Sequence, residues 1–508
     1  MRVVLRNLVP LLVALPLGAQ SVARSDVTLP RAISAIREAD LKRDLFLLAG
    51  DSMRGREAGE VDEMRASMWV AETMRRIGVR PFGEDSSWFQ WWKMRRTRIA
   101  TAQSGVRIGS HALALWKDIV PTNNVALDSV AAAVLVGDGS DTTIDVRGKV
   151  AIANLAAPSP ASIRTTTNTY QYNYTRAALA AQGGRLVRRG AVAVIMMADS
   201  IAETAMGAIA EVQARGTYDV VGGVARFTRN PVVAAGAAGP QVRPAPVFLA
   251  RRSSTADVAA GQPIEIRVRT ETFETPSVNV IGIVRGTDPT LRNEYVLFSS
   301  HQDHDGERYE VAGDRIWNGA DDNGSTSVAL LAIARAWVKQ PGKRSALFVF
   351  HGAEERGLLG SRYHVAHPVV PLEKIAAVLN GDMIGRNHPD TAALLGSQPP
   401  HRNSLELVSI ALSANRATSK FVVDSTWDRP SHAEGWYFRS DHVPYAERNV
   451  PALFFTTLLH SDYHTPRDEP NRIDYAKLAR VTRWMYVTGW IVANAPKPPA
   501  LDSGFVLR

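Results

Sequence analysis

The chain reads as an α/β protein: a mostly parallel mixed sheet with helices on both faces, interrupted by a smaller inserted α/β module. Three observations predict this. Short apolar runs alternate with helical patterns from residue 278 onward. Motifs rich in His, Asp and Glu follow the C-terminal ends of those runs, where open α/β sheets place their sites. Residues 120–270 differ in texture, being rich in Ala, Val and Gly and lacking His.

Taken in order, residues 33–48 read as helical and lead into the Gly-punctuated segment 53–59. A helix over 61–77 follows, with Val61, Met64, Met68, Ala71 and Ile77 near one face as predicted core and Gly78 as its cap. In the module, 131–136, 149–154, 191–196 and 246–249 read as strands and 177–189 as a helix. Beyond it, strands are predicted at 294–299, 346–350, 376–379 and 452–455, and helices at 325–337, 358–367 and 474–495. The predicted boundaries are 30–119 and 275–495 for one discontinuous domain, 120–272 for the insert and 496–508 for a tail.

With 508 residues, 45% hydrophobic and 21% charged, the chain can bury a large core and has an ordinary globular composition. The net charge of +9 comes from scattered Arg, without a basic run or a nucleic-acid module, so no nucleic-acid partner is predicted. Arg2 and Arg6 precede an apolar run at 8–19 with a small-residue exit at Gly18 and Ala19. That layout predicts a cleavable signal peptide over 1–23 and a secreted or periplasmic protein. The run is short and holds Pro10 and Pro16, which argues against stable membrane insertion. The absence of cysteine excludes disulfides and a lipidated Cys, and leaves bound metal as one source of robustness.

Five candidate metal ligands stand in separate short motifs: His301 in Ser-Ser-His-Gln-Asp-His, Asp321 in Asn-Gly-Ala-Asp-Asp-Asn-Gly-Ser, Glu355 in His-Gly-Ala-Glu-Glu, Asp382 in Asn-Gly-Asp-Met and His464 in Tyr-His-Thr-Pro. Alone, each has an ordinary reading as a surface His, a helix cap or a solvated turn. Jointly, imidazoles and carboxylates in this order are the donor set of a two-zinc hydrolase, in which one carboxylate bridges two ions. Asp321, in the Gly-rich turn before a helix, is the predicted bridge; His301 and Asp382 complete one metal, and Glu355 and His464 the other. Glu354 is the spare carboxylate expected to act as general base. The remaining histidines, His304 among them, are expected on the surface or behind the ligands.

These ordered motifs resemble metallopeptidase family 28, the zinc aminopeptidases and their glutamate-carboxypeptidase relatives. Asn279-Val280-Ile281-Gly282, Gly286-Thr287-Asp288-Pro289 and Glu294-Tyr295-Val296 resemble that family's approach to its first ligand. The resemblance implies two zinc ions, a peptide substrate, His301, Asp321, Glu355, Asp382 and His464 as ligands, and Glu354 as base. It also implies that Asp303 orients His301, that a cis peptide lies at 321–322 or 322–323, and, more loosely, that Tyr437 contacts substrate. The insert resembles a protease-associated domain. The activity implied first is that of a secreted aminopeptidase. A carboxypeptidase or a glutaminyl cyclase on the same scaffold is the alternative, and a non-catalytic receptor-like ectodomain is the rival of another class.

Overall fold

The computed structural model describes residues 27–163, 170–223, 244–432 and 434–507. The predicted signal peptide therefore lies outside the described residues. Four parallel strands form the centre of the principal sheet: Ala452–Thr456, Ile375–Gly381, Tyr295–His301 and Ser345–His351, in that spatial order. They are apolar nearly throughout because both faces are covered. Val296 and Phe298 pack with the helices Thr326–Lys339 and Tyr475–Asn494. Leu297, on the opposite face, joins Val365, Tyr445 and Ala446 of the helices Leu359–Ala366 and His442–Glu447. At Gly489 a Cβ would lie 2.4 Å from Phe298 Cζ, so the absence of a side chain there lets the last helix settle onto the sheet.

Antiparallel strands extend the sheet. Thr391–Leu395 lies beside Ala452–Thr456, and Thr270–Val284 beside Ser345–His351. The latter also runs the full length of Phe89–Ile99, from Thr270 opposite Ile99 to Val280 opposite Phe89. The strand Phe89–Ile99 was not predicted, because Arg95, Arg96 and Arg98 break its apolar pattern where it leaves the core.

The second sheet has its own strands, His111–Leu113, Gly105–Ile108, Pro263–Val268, Leu127–Leu135, Val150–Asn154, Ala193–Met197, Val247–Ala250 and Ile119–Pro121. The helices Tyr170–Arg188 and Ser200–Arg215 cover it and supply Tyr172, Ala178, Leu186, Ala202, Met206 and Ile209 to its core. The boundaries differ from those expected. The module's strands begin at Gly105 instead of residue 120, since 105–121 pair within the second sheet. In addition, Thr217–Val220 leaves the module and pairs with Phe89–Ile99, joining the principal sheet.

The helix Val61–Ile77 exists as predicted, and of its predicted core Ala71 is buried and Ile77 packs against the core, but the rest of the buried face lies elsewhere. Val61 and Met68 are exposed, at 67% and 65%, whereas Glu63, Ala66, Ser67, Val70 and Met74 are buried. Polar groups occupy the inner face because they have partners: the Glu63 carboxylate accepts from the Gly59 N–H and the Ser277 hydroxyl. An apolar-periodicity reading assigns such positions to solvent.

Arg56 ties this framework together. Fully buried, it donates through Nε to the Gln302 carbonyl at 2.7 Å, through Nη1 to Leu48 and Asn318, and through Nη2 to Gly319 at 2.8 Å. Burial lowers its pKa to about 10, opposed by the surrounding carboxylates Asp303, Asp322, Asp468 and Glu355, so it stays charged at neutral pH. It thus holds the loop after Tyr295–His301 against the turn before Thr326–Lys339. Arg56→Met leaves these carbonyls without their donor. Leaving one buried acceptor unpaired costs roughly 1–3 kcal/mol, so the variant is expected to lose at least about 3 kcal/mol of unfolding free energy in urea titration. A loss indistinguishable from zero would show that these contacts do not hold the loops.

Candidate metal centre

The parallel strands deliver the predicted residues to one sheet edge. His301 ends its strand, Asp382 directly follows Ile375–Gly381, and Glu354 and Glu355 follow Ser345–His351 across a tight turn. That turn has no room at Gly352, where a Cβ would meet Glu63 Oε1 at 2.4 Å, and it holds Ala353 at φ 53°. Met383 and His464 also have left-handed backbones, at φ 56° and 50°. Such non-Gly conformations each cost of order 1–3 kcal/mol and cluster at functional sites.

The centre of the site is Asp322. Its Oδ1 lies 3.3 Å from His301 Nε2 and its Oδ2 lies 3.0 Å from His464 Nε2. Around the first oxygen stand His301, Asp382 at 3.5 Å and Glu354 at 3.7 Å from the same imidazole nitrogen. Around the second stand His464, Glu355 at 3.2 Å from it, and His304.

The predicted bridge, Asp321, is corrected by this geometry. Its carboxylate turns the other way: Oδ1 accepts the Gly385 N–H at 2.7 Å, and Oδ2 lies 3.4 Å from His460 Nε2. Adjacent residues of the turn point to opposite sides. Asp468 holds the turn by accepting the N–H groups of both Asp321 and Asp322. The cis peptide lies between Asp322 and Asn323.

The other assignments fall as follows. His301, Glu355, Asp382, His464 and Glu354 converge with Asp322. The Asp303 carboxylate accepts the N–H groups of Glu354 at 3.0 Å and Glu355 at 3.3 Å, so it anchors that turn. His301 Nδ1 lies 3.1 Å from the Asp303 carbonyl, closer than to its carboxylate at 3.7 Å. Tyr437 is only 1% exposed and stacks on His401 with ring centres 4.2 Å apart, so it presents no surface to a substrate. The aromatic ring at the site is Tyr463, stacked on His464 at 3.8 Å with its hydroxyl accepting from Arg439 at 3.0 Å. Its adjacency to His464 was the available signal. His304 was also assigned elsewhere by the sequence reading, although it is buried among the donors.

Two features fit zinc. The imidazole and carboxylate contacts that close each cluster, 3.0–3.5 Å among His301, Asp322, Asp382, Glu355 and His464, match the edge of about 3.3 Å expected for tetrahedral bonds of 2.0–2.1 Å. His301 Nε2, Glu355 Oε1 and Asp382 Oδ1 are buried without hydrogen-bond partners, a cost that a cation would remove. The carboxyls also separate by role. Burial pushes Glu354 well above the usual carboxylate range; His301 opposes this, while Glu355 and Asp382 add to it. Burial works in the same direction on Asp322 and Glu355, but His464 and His304 hold both below their usual range, with His301 adding to the effect on Asp322.

Residues 279–488 match the family model described as Peptidase family M28. Aminopeptidase YwaD of Bacillus subtilis (strain 168) is 31% identical over 169 residues, covering 32% of this chain and 34% of that protein. The match thus spans about a third of that relative's length. Among solved structures, the aminopeptidase from Aneurinibacillus sp. strain AM-1 superposes with a TM-score of 0.56 at 17% identity, covering 92% of this chain and 96% of that one. BSAP, a zinc aminopeptidase from Bacillus subtilis, gives 0.53 at 17% identity, covering 93% and 99%. These likenesses establish the fold.

The two aspartates should separate in experiment. Asp322→Asn is expected to lose most of the zinc bound by this site. Asp321→Asn should behave as a change behind the ligands, costing about 10–100-fold in metal affinity; metal analysis after dialysis decides, and equal losses would return the bridge to Asp321. Uptake should also depend on pH. Burial alone would lower the His464 pKa, but Glu355 and Asp322 raise it to about 9. Zinc takes neutral imidazole, so binding at pH 7 must expel a proton. Affinity should rise with pH toward about 9 and fall in acid, where Asp382, raised to about 6 by burial against the pull of His301, protonates too. Calorimetry in two buffers of different ionisation enthalpy measures the proton release, and none at pH 7 would contradict this.

Proposed function

Because residues 279–488 match the model of peptidase family M28, we propose that this chain belongs to that family and is a two-zinc exopeptidase acting as an aminopeptidase on peptide substrates. The observation that carries this reading is a pair of donor clusters, His304, Asp322, Glu355 and His464 in one and His301, Glu354 and Asp382 in the other, joined where Asp322 Oδ1 lies 3.3 Å from His301 Nε2. His301, Asp382 and Asp322 would hold one zinc; Glu355, His464 and Asp322 would hold the other. Bound zinc supplies Lewis acidity to the scissile carbonyl and to the attacking water.

The protein's own groups do the rest. Glu354, raised by burial and needed by neither ion, takes the proton of the attacking water and passes it to the leaving amine. Asp303 fixes it by its backbone N–H. Ser440 donates to Asp382 Oδ2 at 2.8 Å, and Asp305 lies 3.4 Å from His464 Nδ1, so each ligand has an orienting partner.

The charge of the cleft supports an amino-terminal over a carboxy-terminal specificity. Buried carboxylates favour a substrate ammonium, while the neighbouring Arg356 and Arg439 are engaged with Glu57 and Asp305 and with Glu434 and Tyr463. We read the second sheet as a protease-associated module shaping access, and the basic-then-apolar N-terminus as an export signal. Among the described residues, no helix is long and apolar enough to cross a membrane.

A panel of amino-acid p-nitroanilides with blocked and free dipeptides tests the activity, with zinc added and removed. Release only from blocked N-termini would favour a carboxypeptidase, and cyclisation of N-terminal Gln without amino-acid release would favour a cyclase. Glu354→Gln is expected to reduce kcat by roughly 10²–10⁴-fold while zinc content holds. Glu355→Ala should lose zinc together with turnover. A Glu354→Gln protein of near-normal activity would remove Glu354 from the mechanism.

A further inference from the structure

We propose that His304 is a sixth ligand: its Nδ1 completes the zinc position formed by Asp322, Glu355 and His464, leaving the position of His301, Asp322 and Asp382 as the open one. This rests on the two-zinc reading above and goes beyond it, by giving the two ions unequal cages.

The first support is convergence. One donor atom from each of His304, Asp322, Glu355 and His464 lies within 4.8 Å of all the others. His304 Nδ1 is 2.8 Å from Glu355 Oε1 and 3.9 Å from Asp322 Oδ2, bracketing the edge of about 3.3 Å that four zinc donors make.

The second support is that the short contact is not a hydrogen bond. Despite the 2.8 Å separation, neither His304 Nδ1 nor Glu355 Oε1 has a hydrogen-bond partner. Two buried, unpartnered donor atoms that approach without bonding each other are arranged for a third atom between them.

The third support is that the ring is held in place. The His304 N–H donates to the Arg56 carbonyl at 3.1 Å, pairing this residue with the Arg56 loop. Gly319 lies against the ring, where a Cβ would stand 2.3 Å from His304 Cγ; the φ of 56° at Gly319 suits glycine as well. The His464 ring meets it edge-on at 5.4 Å. A histidine fully buried beside the Asp322 and Glu355 carboxylates and held from three sides occupies a built position.

The chemistry follows from coordination number. Four protein ligands close a zinc position, whereas three leave room for water or substrate. The ion beside His304 would therefore be the tightly kept one. The ion beside His301, next to the base Glu354, would be the exchangeable one that meets substrate.

Stepwise zinc affinities from chelator competition, and zinc X-ray absorption of the two-zinc protein, test this on wild type, His304→Ala and His304→Asn. In wild type we expect two separated binding steps and three imidazoles shared between two ions. Both variants should weaken the tighter step by more than 100-fold, leave the weaker step within a few-fold, and show two imidazoles. Two imidazoles in wild type would overturn the proposal without any variant. Weakened affinity with an unchanged imidazole number would reduce His304 to positioning Glu355, and unchanged affinity would also overturn the ligand role. A folded wild-type protein that binds no zinc would fail the two-zinc reading itself, and this inference with it.

Discussion

The structure is organised around a concentration of buried negative charge. Asp303, Asp322 and Asp382 are buried at the C-terminal edge of one sheet, and the half-buried Glu354 and Glu355 join them there. Ionised carboxylates in such a place are costly unless each finds donors or a cation. The fold answers first with backbone: the N–H groups of Glu354 and Glu355 point to Asp303, and those of Asp321 and Asp322 to Asp468. It answers next with imidazoles facing Asp322 and Glu355, and with the Arg56 guanidinium threaded between the loops. What those groups leave over are buried donor atoms without hydrogen-bond partners, His301 Nε2, Glu355 Oε1 and Asp382 Oδ1 among them.

Much of this was legible in the sequence, for reasons of period and position. The four central strands are buried on both faces, so they read as short apolar runs, and the chemistry-bearing residues sit directly after them. Which of two neighbouring aspartates faces the donor clusters was not legible. Asp321 and Asp322 are identical in type, and only the turn's conformation sends one inward and the other toward Gly385. His304 was missed for a related reason: nothing about its sequence neighbours reveals that the Arg56 loop and Gly319 press its ring toward Glu355. Tyr437 failed because spacing says nothing of burial, and its ring is spent on His401. The inner face of Val61–Ile77 failed because Glu63 and Ser67 carry their own partners into the interior.

The module boundary shows the same limit at larger scale. Composition separates the Ala- and Val-rich segment from its surroundings, but pairing partners decide sheet membership. Residues 105–121 belong to the second sheet through contacts with strands more than a hundred residues away, such as Pro263–Val268 and Val247–Ala250. Local sequence carries no record of that.

That pairing also has a mechanical side. Thr217–Val220 is stitched into the principal sheet, Tyr172 stacks on Tyr309 of the hairpin beside the site, and Arg215 binds Glu57 and the Glu307 carbonyl. A lobe sewn down by a strand, a ring pair and an ion pair cannot hinge freely about its chain crossings. Moving it against the principal sheet would require the strand pairing, the ring stack and the ion pair to come apart together.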